Sequence, residues 1–172
     1  LLVFATAAFG GTLTLTGTNT YTGTTNVSAG TLQIGNGGTA GSVNGSSAVN
    51  ISSGATLVVN RSDNVTLSNA ISGAGNLSTV GSNVTTLTGA ATYTGTTNVT
   101  NGSIIFTNNV APATSGFAGN GSVTIQPTSG SSFSSDLASN YSFANTLTGL
   151  TLGSSTNTAN ISIDSATSIA GN

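Results

Sequence analysis

The chain has 172 residues, enough for one domain with a sizeable core, yet 102 of them are Thr (32), Ser (26), Asn (20) or Gly (24), far from an average globular composition. Charge is confined to Arg61, Asp63, Asp136 and Asp164, a formal net −2, which excludes a basic patch for nucleic acid or for an anionic membrane. With no His, Cys, Lys or Glu, Ser–His and Cys–His pairs, Schiff-base lysines and ordinary metal clusters cannot be built, so no catalytic, cofactor-binding or metal-binding residue is expected and the chain reads as a non-enzyme.

Leu1 to Phe9 is the one apolar run. It is far shorter than the about 20 residues a membrane span needs. It has no basic start, so at most it is the tail of a signal peptide's apolar region, with Ala5-Thr6-Ala7 as a cleavage-like triplet. Residues 1–10 are expected to form an apolar N-terminal cap, or a strand donated to a neighbouring subunit. Thr12-Leu13-Thr14-Leu15-Thr16 then alternates with period two, which places Leu13 and Leu15 on a core face and the three threonines outward. Gly17 to Thr20 supplies a turn, a short strand follows about Thr24 to Val27, and Thr31-Leu32-Gln33-Ile34 is the next.

The Gly-rich stretch over 35–47 reads as a loose connection, because it lacks the Lys and the helix start that phosphate cradling requires. Strands are expected again at 48–51, 55–59, 65–67 and 76–80, with a bend over 69–75. Alternation of Thr with Val, Leu and Ile this regular argues against disorder despite the Ser and Gly content.

The octapeptide Thr20-Tyr21-Thr22-Gly23-Thr24-Thr25-Asn26-Val27 returns unchanged as Thr92-Tyr93-Thr94-Gly95-Thr96-Thr97-Asn98-Val99. Its flanks return too: Leu15-Thr16-Gly17 as Leu87-Thr88-Gly89, Gly30 as Gly102, and Leu32 and Ile34 as Ile104 and Phe106, all at the one offset that carries Tyr21 to Tyr93. A fixed offset of this kind is the mark of stacked units, each burying the apolar face that its neighbour cannot bury alone. Three coils of roughly 24 residues, each with three short strands, account for the offset and set both octapeptides at one angular position. Some seven coils make a rod on the order of 35 Å long. The fold class is therefore all-β, a parallel β-helix over 11–107. The alternative is a β-sandwich filament subunit, with Tyr21 and Tyr93 on antiparallel neighbours.

From Asn108 the repeat fades, and 108–172 reads as a divergent continuation with strands at 121–125, 146–152 and 160–163. Ser131 to Ser142 reads as a loop or one helical turn. Aromatic residues concentrate here, at Phe117, Phe133, Tyr141 and Phe143.

Residues 13–32 resemble the passenger-associated transport repeat, also called the autotransporter-associated β-strand repeat, and residues 85–106 look like a second copy. The segment between, through Ser53-Gly54-Ala55-Thr56-Leu57 and Ala70 to Gly75, fits the spacer of such arrays. Residues 144–172 look more loosely like haemagglutinin-type surface adhesins. The resemblance implies a right-handed parallel β-helix in a large secreted or surface-displayed bacterial protein, and it carries over no catalytic residue.

Three functions follow as expectations. The first is a stalk or adhesin scaffold, extracellular or on the cell surface, whose partners are the rest of a larger surface protein and host or environmental glycans. The second is a filament subunit that adds identical copies end to end by strand addition. The third is glycan or ice recognition on the outward row Thr12, Thr14 and Thr16, although Thr is in any case a good polar residue for an exposed strand face. Asp63, Asp136 and Asp164 stand singly among turns and strands and read as surface residues, not as an acid/base pair. Asn-x-Ser/Thr triplets, as at Asn50, Asn64 and Asn76, arise readily in such a composition, and Asn at coil corners has its own role in side-chain amide bonding.

Overall fold

Alternation of Thr with aliphatic residues, broken every few positions by Gly, Ser or Asn, yields many short strands and no helix among the described residues of the computed structural model, which are 10–108, 112–132, 137–139, 141–155, 158 and 161–163. In chain order the first are β1 (Thr12–Leu15), β2 (Thr25–Val27), β3 (Thr31–Ile34), β4 (Val49–Ile51), β5 (Thr56–Val59), β6 (Val65–Leu67), β7 (Ile71–Gly73) and β8 (Asn76–Thr79). Then come β9 (Val84–Leu87), β10 (Thr96–Val99), β11 (Ser103–Thr107), β12 (Gly116–Gly119), β13 (Ser122–Gln126), β14 (Leu137–Ser139), β15 (Ser142–Phe143), β16 (Gly149–Leu152) and β17 (Ile161–Ile163).

Every described strand pair is parallel, and the strands stack into a β-solenoid. The long sheet has seven strands in the order β1-β3-β5-β8-β10-β12-β15, a second sheet has five (β6-β9-β11-β13-β16), a third has three (β2-β4-β7), and β14 pairs with β17. Seven stacked strands span six coil steps, roughly 29 Å at the usual strand spacing. From β5 the chain visits the long sheet, the five-stranded sheet and the three-stranded sheet in turn, then returns one coil further on at β8. The parallel register removes the antiparallel sandwich alternative.

The coils are unequal. Neighbours along the long sheet run Leu13, Leu32, Leu57, Leu77, Thr97, Phe117 and Phe143. Most of these circuits are shorter than the expected coil, whereas those from Leu32 to Leu57 and from Phe117 to Phe143 are longer. This corrects the expectation of equal coils and, with it, the position of the repeat. From Leu32 to Thr97 the chain passes three times round, and the short run from Thr97 to Ile104 then carries it one face further, to the counterpart of Leu32. In the first copy β1 and β3 lie on the long sheet and β2 on the three-stranded sheet; in the second, β9 and β11 lie on the five-stranded sheet and β10 on the long sheet. The two copies are rotated by one face.

What they share is internal. In each, the first and third strands pair with each other at the same separation along the chain, Thr12 with Thr31 and Val84 with Ser103, so each copy is one closed coil. A glycine makes the tight corner before the third strand: Gly30 has φ 67 and Gly102 φ 68, and a Cβ would meet the Gly11 carbonyl oxygen at 2.3 Å in one case and the Asn83 carbonyl oxygen at 2.3 Å in the other.

The core is built as columns. Leu13, Leu32, Leu57, Leu77, Thr97, Phe117 and Phe143 follow one another up the inner face of the long sheet, with Leu15, Ile34, Val59, Thr79, Val99 and Gly119 beside them. All from Leu32 to Phe117 in the first column are nearly inaccessible, and burying a Leu or Ile contributes about 1.5–3 kcal/mol. Toward the far end the core turns aromatic. Phe117 stacks on Phe143 with centroids 5.4 Å apart and meets Tyr141 edge-on at 5.5 Å.

Four expectations need correction or placement. Leu13 points along the core column but is 40% exposed, because β1 ends the long sheet and no described strand covers it. The bend expected over 69–75 contains a strand, β7, whose Ile71 is fully buried. Leu137–Ser139 is a strand, not a helical turn. Of the N-terminal cap expected over 1–10, residues 1–9 lie outside the described residues, as do Phe133, Asp136 and Asp164.

Candidate functional site

The repeated octapeptide acts first on the interior. Alternation in Thr96–Val99 turns Thr97 inward, where it is fully buried in a column of leucines, and a buried hydroxyl without a partner costs about 1–3 kcal/mol. Tyr93 answers it from the preceding corner, its Oη 2.6 Å from Thr97 Oγ1; Tyr21 and Thr25 make the same contact at 2.7 Å in the first copy. Thr97 Oγ1 also donates to Thr114 Oγ1 at 3.1 Å, and Thr114 donates to the Gly95 carbonyl at 2.6 Å. Burial raises the Tyr93 pKa above the usual tyrosine value, so the hydroxyl stays a neutral donor. The Tyr–Thr pair is a structural bolt, and it reads the same on either face.

Asn residues hold the corners. Asn64 Oδ1 accepts the Val84 N–H at 3.0 Å and Asn76 Oδ1 accepts the Thr96 N–H at 2.9 Å, while Asn69 Nδ2 donates to the Asn44 and Ser47 carbonyls at 2.7 and 2.6 Å. Each bond runs from one coil to the next. The Asn content thus supplies partners for backbone groups that the turns leave outside the ladder.

Among the described residues the charged side chains form a clamp. Arg61 pairs bidentately with Asp63, with Nε to Oδ1 and Nη2 to Oδ2 both at 2.8 Å, and its guanidinium also donates to the carbonyls of Thr39 and Gly41. This ties the Gly-rich connection between β3 and β4 to the coil that follows. The guanidinium lowers the Asp63 pKa below the carboxylate's usual value. Among the described residues no three His, Cys, Asp or Glu side chains come together as a metal site.

The outward row Thr12, Thr14 and Thr16 is exposed as expected. It does not continue as a threonine array. The register carries Thr14 to Gln33, Val58, Ser78, Asn98 and Ala118. At that point the sheet carries a feature the sequence reading missed: a shallow trough of ≈ 370 Å³ on the outer face, floored by Val58, Ser78, Asn98 and Ala118 and edged by Thr31, Thr56, Asn76 and Thr96. It arises because short side chains at Ser78 and Ala118 sit in one column with the larger Val58 and Asn98. Ser78 is 8% exposed although its side chain faces out. The run of small residues spans different coils, so only the register places them side by side.

A model of the passenger-associated-transport-repeat matches residues 10–34 and 79–105. No curated protein and no solved structure matches the chain. The matched stretches overlap the two closed coils, the first enclosing β1 to β3 and the second running from the end of β8 into β11. The chain is thus a parallel β-solenoid in which two stretches are similar to the passenger-associated-transport-repeat.

Proposed function

We propose that the chain is a non-catalytic structural segment of an extracellular autotransporter passenger, acting as a stalk or adhesin scaffold. The observation that carries this reading is that each repeat copy is one self-closing coil, with its own glycine corner and its own Tyr–Thr bolt, and that the two copies stand on different faces of the rod. Such a unit adds length by templating on the coil before it. Its backbone bonds and thin core need no metal or cofactor. The remainder of a larger surface protein is its first partner, and no role with nucleic acid is proposed. No helix among the described residues is long and apolar enough to cross a membrane. The test is protease shaving of intact bacteria that express the chain within a passenger: loss of an epitope inserted at Gly54 from sealed cells supports display, and protection of that epitope overturns it.

A second reading, end-to-end assembly, has its own observation. The Gly11 and Leu15 carbonyls accept the Thr31 and Gly35 N–H groups, which turns the Thr12 and Thr14 N–H groups away from β3, beside the exposed Leu13. No described strand pairs with that edge. An open parallel edge with an apolar residue accepts a further strand, and a low net charge does little to oppose it.

A further inference from the structure

We propose that the trough on the outer face of the long sheet is a binding site for an uncharged oligosaccharide lying along the solenoid axis. Five strands contribute to it, β3, β5, β8, β10 and β12, so it runs roughly 19 Å at the usual strand spacing. That length holds a few sugar rings in line.

Its chemistry selects the ligand class. The hydroxyls of Thr31, Thr56, Ser78 and Thr96 line it, and among the described residues none of the four has a hydrogen-bond partner, not even Ser78, of which only 8% is exposed. A hydroxyl at the floor of an open cleft that has no partner within the chain completes its bonding from outside, with water or with the hydroxyl of a ligand that displaces it. Hydroxyls and the Asn98 amide both donate and accept, which matches sugar hydroxyls of the same dual character. Val58 and Ala118 offer methyl surface to the C–H faces of sugar rings.

Other ligands fit less well. No charged residue lines the trough, and Arg61 and Asp63 are bound to each other, so acidic and basic ligands find no counter-charge. An extended peptide would bring N–H and C=O groups seeking a strand edge, and the backbone of these central strands is already used on both sides. Ice requires a flat and uniform array, whereas this surface is concave and alternates hydroxyl, amide and methyl. The inference rests on the site alone and not on surface display.

The experiment is titration of the ¹⁵N-labelled chain with cellohexaose, maltohexaose and mannohexaose at millimolar concentration, with a hexagalacturonate as charged control. We expect at least one neutral hexamer to shift the amide signals of residues 56–58, 76–78 and 96–98 while those of the five-stranded sheet stay in place. Ser78→Ala should weaken that binding about fivefold, the loss of one hydrogen bond. Thr14→Ala, outside the trough, should leave it unchanged. Asn98→Leu, an exposed change that does not threaten folding, should weaken it independently. The proposal is overturned if no neutral hexamer shifts these signals, if the hexagalacturonate binds as well, or if neither Ser78→Ala nor Asn98→Leu weakens binding in a folded variant. Failure here leaves the shaving result, and the display reading, untouched.

Discussion

Tyr93 Oη and Thr97 Oγ1 are joined at 2.6 Å inside the rod, both side chains fully buried. The motif places a polar strand residue in the core and supplies its partner from the same corner. Tyr93→Phe should lower stability by about 1 kcal/mol, the usual net value of a hydrogen bond, and Tyr21→Phe by less because Tyr21 is half-exposed. Urea unfolding reads both. Adding Thr97→Val to Tyr93→Phe should recover part of the loss, since removing both partners leaves fewer orphaned groups.

Burial of the tyrosines predicts an alkaline transition. The Tyr141 pKa is pushed up to about 12, and that of Tyr93 is raised as well, both through desolvation. Because the folded values lie above the unfolded value of about 10, this contribution is intact below pH 10 and disappears as pH climbs through the folded values. Without His, Cys or Lys, the urea midpoint should stay nearly flat between about pH 5 and 9 and fall above about pH 10.

The Arg61–Asp63 clamp should show in local stability more than in the global midpoint. Arg61→Ala frees the Thr39 and Gly41 carbonyls, and proteinase K should then cut within residues 35–47 while the other coils resist. Asp63 has a lowered pKa, so its contribution is present above the ordinary value of 3.8 and is lost as pH falls through the lower, folded one. Amide exchange over 35–47 should accelerate in that acid range, and Asp63→Asn should remove the acid dependence.

Glycine substitutions separate space from backbone angle. At Gly102, with φ 68, an added Cβ meets the Asn83 carbonyl oxygen at 2.3 Å, whereas at Gly54, with φ 79, it meets nothing within 4 Å. Gly54→Ala should cost about 1–2 kcal/mol, the left-handed backbone penalty alone. Gly102→Ala should cost more, because coil-to-coil contact must also open. Thermal melting of the two variants gives the comparison, and equal losses would mean that the corner has room to move.

End-to-end growth rests on β1. Thr14→Pro removes an N–H that points away from β3 and should abolish any concentration-dependent assembly seen in sedimentation while leaving the monomer's circular dichroism intact. Assembly that persists in the variant would assign it to some other surface.

Much of the architecture was legible from residue order alone. Period-two alternation at Thr12–Thr16 and Thr31–Ile34 marks short half-buried strands, and a verbatim octapeptide at a constant offset marks stacking, because both are local patterns that any neighbour must accommodate. The coil lengths, and therefore the faces, were decided elsewhere. A loop of 35–47 adds chain without adding a turn of the rod, and the circuits around it are shorter than an even division of the offset would give. The offset therefore amounts to three coils and one face more, and Val27 and Val99 fall on different sheets. Ile71 was hidden among turn residues and becomes core only because Val49 and Ala91 lie above and below it. Ser78 is an ordinary polar residue in sequence; its place at the floor of a trough depends on Val58 and Asn98 in adjoining coils. Side-chain alternation is written along the chain, but lateral neighbours are set by how much chain each circuit consumes, and that length follows from where the corners can close against the coil beneath.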